Sequence, residues 1–243
     1  IWHFKEIVLF ILYSNAIIMW LFSGILVVKI FYKFLRSFKS KKKIFLVDNE
    51  NDKDWAYEIL ISEKIIGIDT EFDWRNTYLP KLSLVQISTK NQIFLFDSLK
   101  INDLSFLRSL LDDKEKTIIM HSSRSDTTVL STNLKINIKK VFDIQIAEQI
   151  IRDEQVQNYG SIVKRYFSEE LEQSQTNSNW LKRPFSKKQI AYAAEDVNYL
   201  IPIYFKQLKA LKKIKKLDYA LTKSYEQAEK GNDRLDLARL KKL

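Results

Sequence analysis

The chain has 243 residues and 28.8 kDa, 46% hydrophobic and 29% charged, enough apolar material for one sizeable folded domain and too much for a disordered tail. With no Cys, two His and four Gly dispersed at 24, 67, 160 and 231, it carries no disulfide framework, thiolate nucleophile, Cys-based zinc site, Walker loop or GxGxxG fingerprint. The net charge of +10 sits at the ends, since residues 1–43 and 206–243 are each +7 and the stretch between them is −4, so carboxylate chemistry belongs to the centre. Basic flanks around an acidic centre suit a polyanion met through bound cations, although lysine tracts also serve as plain solvated faces.

From Ile7 to Val28 there are 22 residues without a charge, long enough at 1.5 Å per residue to cross a hydrocarbon core of ~30 Å. The segment reads as a transmembrane helix. Lys29, Lys33, Arg36, Lys39, Lys41, Lys42 and Lys43 follow it, so the positive-inside rule places the remainder in the cytoplasm, anchored to the inner face of a membrane. A competing reading holds residues 1–43 to lie outside the working protein, because the chain begins with Ile1.

Beyond Lys43 short apolar runs alternate with helical stretches, which predicts an α/β domain over 44–210. The runs at 44–48, 64–69, 82–88 and 92–97 read as strands, with Asn51 or Asp52 capping a helix after the first and Thr89-Lys90-Asn91 turning the last two into a hairpin. Helices near 104–111 and 124–132, strands at 117–121 and 140–143, helices near 144–151 and 160–167, and one long helix from Lys187 through Lys209 complete the series. Residues 211–243 read as a basic helical tail.

Three places carry candidate chemistry. Asp69 and Glu71 end an apolar strand at i, i+2, which turns both carboxylates to one face, where they repel and invite a hard cation such as Mg²⁺ or Mn²⁺. An isolated Asp-x-Glu pair is also common as a solvated surface pair. Asp126 falls in the first turns of a helix after a strand and a Ser-rich turn, where the helix dipole alone would favour a carboxylate. Ser186 caps a helix on which Tyr192 and Asp196 are four apart and share a face; taken alone, Tyr192 would as readily pack in a core.

In order, Asp69 and Glu71 in DTEF, Asp126 after His121, and Tyr192 with Asp196 in YAAEDV resemble the DEDD exonucleases of the tyrosine subtype, and most of all the ribonuclease D family. The stretches 69–88, 141–150 and 179–204 are similar to that family as well. The resemblance implies an RNase H-like mixed sheet flanked by helices. It also implies two divalent cations, Mg²⁺ or Mn²⁺, held by Asp69, Glu71, Asp126 and Asp196, and stepwise removal of nucleotides from RNA 3′ ends, tRNA-like ends among them. Two such ions stabilise the attacking and leaving oxygens of an in-line displacement. Asp69 is then expected to bridge them, Glu71 and Asp196 to hold the one carrying the attacking water, Asp126 to help hold the other, and Tyr192 to orient that water.

Thr70, Phe72, Arg75, His121 and Arg183 lie in matching stretches and are expected at the substrate or in support of the site. For Phe72 the choice is between stacking on the terminal base and packing as a buried aromatic; for Arg75 and Arg183, as for Gln86 and Trp180, between substrate contact and structure. The sequence departs from the family pattern in its hydrophobic N-terminus, in Leu171-Glu172-Gln173-Ser174 where a Lys is usual, and in a tail too short for the family's C-terminal helical nucleic-acid-binding domain. Rival readings are a DNA exonuclease of the Werner type and a catalytically inactive, membrane-tethered nucleic-acid-binding module.

Overall fold

In the computed structural model, which describes residues 42–232 apart from 76, 139 and 173, the apolar runs become six strands. These are β1 (Lys43–Val47), β2 (Ile65–Asp73), β3 (Lys81–Ser88), β4 (Gln92–Asp97), β5 (Thr117–Met120) and β6 (Val141–Asp143). They form one mixed sheet in the order β1-β4-β3-β2-β5-β6. β2, β3 and β4 are an antiparallel meander, β5 and β6 add in parallel beside β2, and β1 pairs in parallel with β4. The Thr89 hydroxyl accepts from the amides of Asn91 and Gln92 at 3.2 and 3.1 Å and so fixes the β3–β4 turn that sets the register.

Side chains alternate across the strands, and each face has its own core. Ile66, Ile68, Val85, Ile87, Phe94 and Phe96 pack against helices α1 (Glu50–Ser62), α2 (Phe106–Leu111) and α3 (Arg124–Leu134), through Leu60, Leu107, Leu110 and Leu130 among others. On the opposite face Leu84, Leu95, Ile119 and Phe142 pack against α4 (Ile144–Arg152), α5 (Tyr159–Phe167), α6 (Lys187–Asn198) and α7 (Leu200–Lys213). Each such fully buried aliphatic or aromatic side chain stabilises the fold by about 1.5–3 kcal/mol.

Four expectations are corrected. The cap of α1 is Asn49, whose side chain accepts from the Asp52 amide at 3.0 Å, rather than Asn51 or Asp52. β2 runs on to Asp73 with a register shift between Glu71 and Phe72, so both carboxylates lie within the strand and not at its end. The single helix expected over 187–209 divides at Tyr199, because Pro202 has no N–H to offer the Asn198 carbonyl and its ring crowds that group. Finally, the boundary drawn at 210 falls inside α7. The following helix α8 (Leu217–Asn232) buries Ala220, Ser224, Ala228 and Gly231 and is tied in by two bonds, Thr128 Oγ1 to the Gly231 carbonyl at 3.0 Å and the Asp143 amide to Ser224 Oγ at 3.0 Å.

The apolar segment Ile7–Val28 lies outside the described residues. Among the described residues no helix is long and apolar enough to cross a membrane.

Candidate active site

β2 is longer than its parallel neighbour. β5 pairs only with Ile65–Gly67, so from Ile68 onward that side of β2 is an edge facing the turn that follows β5. The turn is bent by Ser122, at φ 55°, and the Asp143 carboxylate holds it by accepting from the amides of Ser122 and Ser123 at 3.0 and 2.8 Å. This brings the first turn of α3 against the edge, and the Thr70 amide and hydroxyl both donate to Asp126 Oδ1, at 3.1 and 2.6 Å. An otherwise open strand amide thereby fixes an acidic side chain from the opposite layer.

Gly67, Asp69 and Glu71 alternate with Ile66, Ile68 and Thr70 and face the α6 side. α6 begins at a reciprocal cap, with Ser186 Oγ accepting from the Gln189 amide at 3.2 Å and Gln189 Oε1 from the Ser186 amide at 3.0 Å. Two turns later it presents Tyr192 and Asp196. Carboxylate oxygens of Asp69, Glu71 and Asp196 lie within 4.8 Å of one another. A cleft of about 300 Å³ is lined by all four acids together with Thr70, Phe72, His121, Tyr159 and Tyr192.

So many carboxylates in partly desolvated positions resist ionisation. Burial first, then the Asp196 charge, pushes Asp69 up to about 8; burial, then Asp69, Asp196 and Asp126, pushes Glu71 up to about 10. Asp126 is raised well above the carboxylate range by burial and by Asp69. Asp196 is pushed up to about 7 by burial, an effect that a hydrogen bond from Tyr192 partly offsets. The Tyr192 hydroxyl is itself raised by burial and by Asp196, lies 3.2 Å from Thr176 Oγ1, and its ring is 6.0 Å from that of Trp180. A donor set made wholly of oxygen, close-set and mutually repelling, fits hard divalent cations.

The remaining candidates divide. Phe72 lines the cleft while its ring meets Trp74 edge-on at 6.4 Å. His121 lines the cleft, its Nε2 lies 3.2 Å from the Gln157 carbonyl, and burial lowers its pKa. Arg75 is exposed and paired with Asp73. Arg183 does not line the cleft. It forms a two-pronged pair with Asp97, at 2.6 and 2.7 Å, bonds the Trp180 and Ser83 carbonyls and covers the Phe185 ring at 3.7 Å. Gln86 is buried opposite Asp69 in the β2–β3 ladder, and Trp180 is buried beneath Tyr192. Sequence reasoning missed Asp143, Tyr159 and Thr176. Of these only Asp143 left a local signal, an Asp two residues before Gln145, whose amide it caps at 2.9 Å.

A family model described as a 3′-5′ exonuclease matches residues 44–212. The chain belongs to that 3′-5′ exonuclease family, and within it to the ribonuclease D-like DEDD enzymes. It is 35% identical over 136 residues to a ribonuclease D of Desulfotalea psychrophila, covering 56% of this chain and 36% of that protein. It is 32% identical over 178 residues to the ribonuclease D of Haemophilus influenzae, covering 73% and 42%. The crystal structure of Escherichia coli RNase D, described as an exoribonuclease involved in structured RNA processing, superposes with a TM-score of 0.75 at 27% identity over 78% of this chain and 51% of that one. The chain thus spans about half the length, or less, of the relatives it matches. Enzymes of the DEDD family use divalent metal ions.

Proposed function

We propose that the chain is a 3′-5′ exoribonuclease that hydrolyses the terminal phosphodiester of RNA with two divalent cations, Mg²⁺ or Mn²⁺. The observation that carries this reading is the meeting of Asp69, Glu71, Asp126 and Asp196 with Tyr192 in one cleft. Asp69, Glu71, Asp126 and Asp196, which line the same cleft, would hold the cations. Bound there, the cations supply charge stabilisation for the attacking and leaving oxygens.

The protein's own residues do the remainder. Tyr192 keeps its proton, because burial and Asp196 hold its pKa above the ordinary tyrosine value, so it orients the attacking water by hydrogen bonding rather than removing a proton from it. Thr70 holds Asp126 in place, and Phe72 offers the cleft an aromatic face for the terminal base. The relatives' names favour RNA, and structured or tRNA-like 3′ ends are the substrates in view.

The test uses the full chain with matched RNA and DNA oligonucleotides labelled at either end, in Mg²⁺, Mn²⁺ or chelator. The expected result is a one-nucleotide ladder receding from the 3′ end of RNA, present with metal and absent with chelator. Cleavage that survives chelation, or that starts at the 5′ end, overturns the reading; faster hydrolysis of DNA overturns the substrate class.

A further inference from the structure

At the break between α6 and α7 a side chain bridges the Tyr199 amide and the Glu195 carbonyl, the pair that closes an ordinary helix turn. The Tyr159 hydroxyl, from the first turn of α5, accepts from the Tyr199 amide at 3.2 Å and donates to the Glu195 carbonyl at 3.2 Å. A group inserted between i and i−4 opens the ladder and fixes the bend at that point. Two residues on, Ser88 Oγ of β3 donates to the Val197 carbonyl at 2.8 Å. Gly67 of β2 lets α7 come close, since a Cβ there would stand 2.6 Å from Ser88 Oγ and 3.0 Å from Leu200 Cβ. Asp196 lies between the two strapped carbonyls, and Gly67 is two residues before Asp69 on the same face of β2.

We infer that Tyr159 is a positioning residue for Asp196: its hydroxyl, inserted into the last turn of α6, sets where that turn closes and so how near the Asp196 carboxylate stands to Asp69 and Glu71. This inference rests on the metal-site reading above. Tyr159 lines the cleft, with its ring 5.6 Å from that of His121, but it acts through the backbone on either side of Asp196 and not on substrate. Its hydroxyl is buried and its pKa raised, so both bonds persist across the working pH range. Without the hydroxyl, the Glu195 carbonyl and Tyr199 amide would be drawn together into an ordinary turn, moving Asp196 relative to β2.

The experiment compares Tyr159→Phe with Tyr166→Phe in the full chain. Tyr166 is a second partly buried tyrosine whose hydroxyl donates at 2.7 Å to the buried Glu148, away from the cleft, so its loss controls for general destabilisation. Mn²⁺ binding is followed by titration calorimetry without substrate, melting by circular dichroism, and cleavage on 3′-labelled RNA. Tyr159→Phe should bind Mn²⁺ about tenfold more weakly and turn over about tenfold more slowly with KM unchanged, as for the loss of groups that orient metal ligands. Tyr166→Phe should melt earlier yet bind Mn²⁺ as the parent does. The inference is overturned if Tyr159→Phe keeps parental Mn²⁺ affinity and kcat, or if Tyr166→Phe weakens Mn²⁺ equally. Failure of the parent chain to take up Mn²⁺ would instead bring down the metal-site reading and this inference with it.

Discussion

Thr70 and Asp126 are joined by two hydrogen bonds that land on the same oxygen, from the amide at 3.1 Å and from the hydroxyl at 2.6 Å. Thr70 thus holds an acid in place, where the sequence alone left a substrate contact and a supporting role both open. Thr70→Val keeps the branched shape and the amide bond but removes the hydroxyl. Turnover should fall about tenfold and the Mg²⁺ concentration for half-maximal rate should rise, while Thr70→Ser restores both. A rise in KM with an unchanged Mg²⁺ requirement would return Thr70 to the substrate.

The carboxylate cluster makes the metal-free protein pH-sensitive in a definite direction. Asp69, Glu71 and Asp196 are pushed up to about 8, 10 and 7 in the folded chain, against about 4 when unfolded. The folded state then binds more protons than the unfolded state, so stability contributed by these groups is present below about pH 4 and is lost as pH rises through 7 to 10. In chelator, Tm should fall between pH 6 and pH 9. Mn²⁺, which competes with those protons, should raise Tm more at pH 9 than at pH 6. Asp69→Asn removes a repelling charge, so at pH 9 in chelator it should melt higher than the parent while showing no detectable exonuclease activity. A parent Tm independent of pH over this window would contradict the repulsion.

The strands and the acid motifs were legible because both are local. Alternating or continuous apolar runs such as QIFLFD mark β4 without ambiguity, and the i, i+2 and i, i+4 spacings of Asp69–Glu71 and Tyr192–Asp196 place each pair on one face. The helix break at Tyr199 was hidden because apolar periodicity continues through Leu200, Ile201 and Ile203, although Pro202 was the available warning. The tail over 211–243 was read as helical, and α8 lies in it, but its packing against the domain was hidden by the lysine-rich composition around it. Its buried Ala220, Ser224 and Ala228, spaced by four, are the signature of a helix lying close against its neighbours. Tyr159 and Thr176 had no signal of their own, since the partners that give them their place lie 16 to 40 positions away.

Arg183 separates a structural arginine from a substrate-binding one. Asp97 is 1% exposed and takes both prongs of the guanidinium, so Arg183→Met leaves a buried carboxylate without its cation. The expected cost is about 3 kcal/mol in denaturant unfolding, with KM for RNA unchanged in the protein that remains folded. Unchanged stability together with a raised KM would place Arg183 at the substrate.

Tyr192→Phe keeps the ring beside Trp180 and removes the hydroxyl that bonds Asp196 and lies 3.2 Å from Thr176 Oγ1. If the hydroxyl only ties the helix face to the loop at Thr176, its loss appears as about 1 kcal/mol of stability with turnover little changed. If it orients the attacking water, kcat should fall about 100-fold while KM stays near the parental value, because only the transition-state geometry is disturbed. Mn²⁺ affinity tells this residue from Tyr159. Tyr192→Phe leaves the backbone around Asp196 as it was and should bind the cation nearly as the parent does, whereas Tyr159→Phe should not. Rates measured on 3′-labelled RNA at saturating Mg²⁺ decide the matter, and an undiminished kcat would remove Tyr192 from the reaction and leave the four acids to act without it.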